Sequence, residues 1–299
     1  MWVYIALLSA FLLGFYDVSK KAALKDNAVM PVLWCHILIC SAMMLVPLCL
    51  SRFSHCLDGT ILHIGRGSLE LHLKLLVKAV IVLGSWVCGY YGMKHLPITI
   101  YGPVNATRPI LVLLGGLLFF REQLNLYQWI GVIIAIVSFY MLSRSSRKEG
   151  INFGSNKWVV FTVAATILGA LSALYDKHLL GSYDVMFVQA WSNFYQLGLM
   201  SLLLLALWWP TKDKTTPFRW KWSIVLIALF LTLADFAYFT ALSYAGSMIS
   251  IVSMIRRSSV VVSFICGALL FKEKNLRSKA VDLALVLIGL LFLLLGSIK

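Results

Sequence analysis

Two stretches decide the fold: ALLSAFLLGFYD at 6–17 and ATILGALSALYD at 165–176. Slid onto one another at an offset of 159, Ala6, Ala10 and Gly14 fall on Ala165, Gly169 and Ala173, and Tyr16-Asp17 falls on Tyr175-Asp176. Small residues four apart make a smooth ridge on a helix, which lets a neighbouring helix approach closely. An acidic residue closes the ridge in both stretches. The correspondence runs further along the chain. At an offset of 157, Trp34 and His36 fall on Trp191 and Asn193, and at 151, Phe120-Arg121-Glu122 falls on Phe271-Lys272-Glu273. A drifting offset is what changes in loop length between duplicated halves would leave. The repeats are 1–149 and 150–299, within one integral membrane domain, and Gly150–Asn156 after the basic Arg144–Lys148 stretch is the linker.

Hydropathy says where such ridges lie. Of 299 residues, 61% are hydrophobic and 13% charged, whereas soluble domains are about half apolar and a quarter charged. One aqueous core cannot hide that much apolar surface, so lipid must cover it. A spanning helix needs about 20 apolar residues. Ten runs qualify: 2–22, 31–50, 75–94, 98–119, 126–143, 158–180, 185–209, 222–243, 247–271 and 278–297. The first carries no basic leader and no small-residue cleavage site before Asp17, so it reads as a mature helix. The longest connection, Ser51 to Lys74, has room for a short interfacial helix carrying Leu69, Leu71, Leu73 and Leu75. Five spans per repeat is an odd number, so the second repeat enters from the opposite face. The expected fold is an all-α membrane protein of ten transmembrane helices in two inverted five-helix repeats, an arrangement typical of secondary transporters with alternating access.

Composition excludes several classes. The net charge of +14 is carried by Lys and Arg in short loops, where they set topology, so nucleic acid is not expected as a partner. The six cysteines form no CxxC pair, and His55, His63 and His72 lack ligand spacing, so neither a metal nor a disulfide framework is expected. There is no phosphate-cradling glycine loop, HExxH or nucleophile elbow, so no catalysis and no cofactor are expected.

The stretches LLFFREQLNLYQWIGVIIAIVSFYMLS at 117–143 and ALLFKEKNLRSKAVDLALVLIGLLFLLLGS at 268–297 each place an acid, Glu122 or Glu273, at the end of one helix before a small-residue helix. With the five-plus-five layout, they resemble the drug/metabolite transporter superfamily, specifically its EamA group, over the whole chain. Members of that family usually carry a proline in the middle of helices four and nine. Pro109 fills the first place, but Ser258-Ser259 stands at the second, beside Arg256-Arg257, so the second half departs from the pattern. The resemblance implies cytoplasmic termini. The loop charges imply the opposite: sixteen Lys and Arg, from Lys20 to Lys279, lie on one side and seven, from Arg52 to Lys299, on the other.

Three arginines, Arg108, Arg256 and Arg257, fall mid-membrane in the repeat-equivalent helices four and nine. A charge there costs about 2.5–3.5 kcal/mol and persists only when paired or facing water or a ligand. Asp235, mid-helix eight, is a partner for Arg256 or Arg257, and Asp17 or Asp176 for Arg108. Adjacent helical residues point about 100° apart, so one of Arg256 and Arg257 should meet Asp235 and the other a solute. The arginine fork suits carboxylates and phosphates. The expected substrate is therefore a small metabolite with an anionic group: a carboxylate, amino-acid-like, first, and a phosphorylated metabolite or lipid-linked phosphate second. Asn105, His36, Gln189, Asn193, Tyr91 and Tyr238 complete the candidate cavity, unless the polar ones only bond helix to helix. Asp17 and Asp176, with Tyr16 and Tyr175, are candidate coupling groups for a proton, or interfacial carboxylates. Glu122 and Glu273 read as gate or capping residues. A multi-pass protein of the cytoplasmic (inner) membrane is expected, with the lipid bilayer and a small molecule as partners and a homo-oligomer left open. The alternative is a flippase or membrane enzyme handling an anionic headgroup.

Overall fold

Inside lipid a chain must satisfy its own backbone hydrogen bonds, which drives each apolar run into a helix. The computed structural model describes residues 2–54, 56–60, 62–120, 125–147, 151, 153–180, 183–243, 249–271 and 276–298. Its helices are α1 (Trp2–Leu24), α2 (Val29–Phe53), α3 (Leu69–His95), α4 (Ile98–Ala106), α5 (Arg108–Phe120), α6 (Leu126–Arg147), α7 (Lys157–Leu180), α8 (Val185–Leu203), α9 (Ser223–Ser243), α10 (Ile249–Arg257), α11 (Ser259–Leu270) and α12 (Leu276–Ile298). Among the described residues there is no strand, and seven helices are long and apolar enough to cross a membrane. Large apolar side chains such as Leu45, Val46, Leu202, Leu269 and Leu270 face outward, where lipid would cover them. The leucines at 69–75 form the first turns of α3 and not a separate interfacial helix.

The runs 98–119 and 247–271 are each broken in two, at Thr107 and at Ser258. Both breaks are built alike. The Thr107 amide and hydroxyl both donate to the Val104 carbonyl, at 3.2 and 2.7 Å. The Ser258 amide and hydroxyl both donate to the Ile255 carbonyl, at 3.0 and 2.7 Å. A hydroxyl that competes for a backbone carbonyl tightens and bends a helix. Pro109 adds a second cause to the first break, since it has no N–H to continue the ladder. The second break needs none.

The most extensive helix pairs are α1 with α9, α3 with α7, and α6 with α12. The small-residue ridges explain two of them. Ala6, Ala10 and Ala165 are buried. The Ser9 hydroxyl donates to the Ala234 carbonyl across the first pair, and Ser85 donates to the Ala165 carbonyl across the second, both at 2.7 Å. On its other side α1 meets α11: a Cβ on Gly14 would sit 2.5 Å from that of Val262. These close pairings leave an opening between α1, α3, α4, α5, α7, α8, α9 and α10.

Candidate functional site

The opening is a cavity of about 200 Å³. The ridge of α1 ends in it with Tyr16, Asp17 and Lys20, and the ridge of α7 with Ser172 and Asp176. The two breaks deliver arginines: Arg108 opens α5, and Arg256 and Arg257 close α10. Asn105, Gln189, Asn193, Asp235 and Tyr238 also line it.

Each aspartate in the cavity has a cationic partner. Lys20 reaches Asp17 at 2.9 Å, one turn along the same helix. Lys78 reaches Asp176 at 2.6 Å from α3. Arg256 pairs with Asp235, and its guanidinium lies 4.3 Å from the centre of the Tyr238 ring. Lys20 is caged further by the rings of Tyr16, Tyr101 and Tyr90, at 4.4, 5.2 and 5.4 Å. The last two pairs join α3 to α7 and α9 to α10 around the cavity, and removing one member of any pair would strand a charge in a poorly solvated place.

Two arginines stand apart. Arg108 donates to the Asn105 side-chain carbonyl at 2.8 Å, while its Nε is buried without a partner among the described residues. The Arg257 side chain makes no ion pair or hydrogen bond with any described residue. Arg108 has been given room: a Cβ on Gly169 would come within 2.2 Å of its Cζ. At the offset of 159 Gly169 falls on Ala10, so the α7 ridge has one methyl group fewer where the guanidinium lies. Arg108, Arg256 and Arg257 are close enough to repel one another, and the charge of Asp17 acts on both Arg108 and Arg257 without an ion pair to either.

Other candidates lie elsewhere. His36 is fully buried behind the cavity wall, its Nδ1 3.0 Å from the Tyr90 hydroxyl. Tyr91 stacks on Trp158 at 6.1 Å, and the Tyr175 hydroxyl donates to the Lys74 carbonyl at 3.3 Å; neither lines the cavity. Glu122 and Glu273 lie outside the described residues. Sequence reasoning misses Lys20 and Lys78 as cavity groups, because it counts both with the loops. Lys78 sits inside the apolar run 75–94, and that position is the available signal. It also misses Tyr101, Ser85, Ser172 and Ser192, for which nothing in the pattern speaks.

A cavity ringed by buried ion pairs, reached from several broken and unbroken helices, suits a membrane carrier, and comparison with known proteins agrees. The EamA-like transporter family matches residues 1–144 and 156–295. The chain belongs to that family. It is therefore a multi-pass membrane transporter protein. Among curated relatives, it is 35% identical over 77 residues, 24% of this chain and 65% of that one, to a probable 4-amino-4-deoxy-L-arabinose-phosphoundecaprenol flippase subunit ArnE of Aeromonas hydrophila. The same subunit of Aeromonas salmonicida is 32% identical over 71 residues, 22% of this chain and 60% of that one. An uncharacterized transporter YxxF of Bacillus subtilis is 26% identical over 119 residues, 39% of this chain and 38% of that one. The matched stretches thus span less than two thirds of each relative. A solved crystal structure shares the fold, with a TM-score of 0.63 at 14% identity over 99% of this chain and 96% of that chain.

Proposed function

We propose that this chain is a ten-span secondary carrier of a small metabolite bearing a carboxylate or another anionic group. It works by alternating access around the central cavity, in the cytoplasmic membrane. The observation that carries the reading is the pair Arg108 and Arg257, which line the cavity and form no ion pair with a carboxylate among the described residues. An arginine kept at that depth without an acid is kept for a ligand or for water, and its fork matches an anionic oxygen pair. Asn105, Gln189, Asn193, Tyr238 and the Asp235–Arg256 pair complete the site.

The two-repeat architecture, 1–149 and 150–299 in inverted topology, rests on three supports. Exchanging α1 with α7, α2 with α8, α3 with α9 and α6 with α12 maps the α1–α9 pair onto α7–α3 and returns α6–α12 to itself. The turns at Thr107 and Ser258 are the same turn at the same offset of 151 that relates Phe120 to Phe271. The family match falls in two segments on either side of the linker. Asp17 and Asp176, held by Lys20 and Lys78, are the candidate coupling groups, and Asp176 has the more exposed side chain, 23% against 9%. A lipid-linked phosphate is the second reading, favoured by the two relatives named for a phosphoundecaprenol flippase subunit.

Counterflow of radiolabelled anions in proteoliposomes tests this. R108K should fold normally yet retain its solute about 10-fold more weakly, a loss of about 1.4 kcal/mol, because a point charge lacks the fork. Wild-type affinity in R108K, or counterflow of uncharged solutes only, would sink the reading.

A further inference from the structure

The charges lining the cavity do not balance. Among the described lining residues, three are acids, Asp17, Asp176 and Asp235, and each is taken by one cation, Lys20, Lys78 or Arg256. Two cations are left over, Arg108 and Arg257. A second imbalance lies on the wall formed by α8. Gln189, Ser192 and Gln196 recur at three and four residues, so they share one helix face, and they are 6%, 4% and 3% exposed. The Oε1 of both glutamines and the Oγ of the serine are buried with no hydrogen-bond partner among the described residues. All three residues line the cavity. Buried polar atoms are nearly always partnered, so this face waits for groups that donate.

We infer that the transported solute carries two negative charges, held by Arg108 and Arg257, and hydroxyl groups, read by Gln189, Ser192 and Gln196. The inference rests on the cavity being the solute site. A monoanion leaves one guanidinium uncompensated when the cavity closes and loses its water, which is the costly state of a buried charge. A zwitterion brings its own cation and restores the excess. A phosphodiester, with one charge, has the same deficit. A divalent group cancels the excess, and a hydroxyl can donate to an amide oxygen and accept in return. Two sources supply this chemistry, a phosphate monoester and a dicarboxylate, both on a hydroxylated body.

The test is thermal protection of the purified full chain at neutral pH by six probes: glycerol phosphate, tartrate, succinate, lactate, alanine and diethyl phosphate. Glycerol phosphate or tartrate should protect at about tenfold lower concentration than lactate, alanine or diethyl phosphate, and the better of the two names the charged group. Tartrate should outdo succinate, which lacks the hydroxyls, and Q196A should narrow that gap. R257Q should abolish the preference for divalent probes, while its ligand-free melting temperature holds or rises, since an uncompensated charge is gone. R257K should keep the preference. If lactate or alanine protects as well as the divalent probes, the two-charge inference falls and the anion-carrier reading stands. If diethyl phosphate matches glycerol phosphate, the inference falls in favour of a lipid-linked phosphodiester. Protection by none of the six overturns both.

Discussion

In α4–α5 the chain turns at Thr107 and runs on into Arg108-Pro109, whereas in α10–α11 it turns at Ser258 just after Arg256-Arg257. The turns share one hydrogen-bond plan, amide and hydroxyl to the same carbonyl three residues back, and only the first has a proline beside it. The hydroxyl residue is therefore the common cause of the break, and the proline an addition on one side. The arginines at the two breaks differ more. Arg256 is tied to Asp235 and lies over Tyr238, so it belongs to the framework. Arg108 has one neutral partner, Asn105, and the bare face of Gly169, so its charge is left for the cavity. One arginine is tied into the framework and the other lines the cavity without an acid among the described residues, although both fall in the middle of their apolar runs.

Three sets of substitutions would break or sharpen this contrast. The largest effect is expected from D235N, which strands the Arg256 charge. Stability should fall by about 3 kcal/mol, seen as a marked drop in melting temperature, and R256Q in the same chain should recover part of it. A D235N protein that melts like wild type would remove Arg256 from the framework. Next comes G169A. A Cβ there lands on the Arg108 guanidinium, so solute retention in proteoliposomes should weaken about 10-fold, the order of one misplaced charged hydrogen bond. A10G, the counterpart in α1, should leave retention unchanged; equal losses in both would show that the glycine serves packing alone. The smallest effects belong to the turns. T107A and S258A should each cost about 1 kcal/mol, one net hydrogen bond, and P109A should cost less than either. A larger loss in P109A than in T107A would return the first break to the proline.

Much of the fold is legible in the sequence. Runs of about 20 apolar residues can only become helices in lipid, and the ridges at Ala6, Ala10, Gly14 and at Ala165, Gly169, Ala173 point to close helix packing by their spacing alone. Arg108, Arg256, Arg257 and Asp235 are legible too, because charges at that depth are too expensive to be incidental. The lysines are not. Lys20 and Lys279 lie near the ends of apolar runs and Lys78 inside one, and all three count with the loops in the charge pattern, yet all are buried. Lys279 reaches the Thr99 hydroxyl at 2.9 Å. The charge excess on one face survives their removal. His36, Tyr91 and Tyr175 share helices or repeat positions with cavity residues, but helix rotation turns them to other neighbours, and no spacing in a nearly all-apolar run reports that rotation.

The sequence by itself determined that this is a bundle of apolar helices with small-residue ridges and with cations set inside the apolar runs. It does so because hydrophobic length, small-residue spacing and the cost of a charge in lipid are properties of a segment. Only the tertiary structure decided which cations are spent and which remain. Lys78 meets Asp176 across nearly a hundred residues of chain, Arg256 meets Asp235 from another helix, and Arg108 and Arg257 are left over. Ion pairing is settled within a few ångströms of space, and that distance is set by how helices cross, which no local pattern of residues encodes.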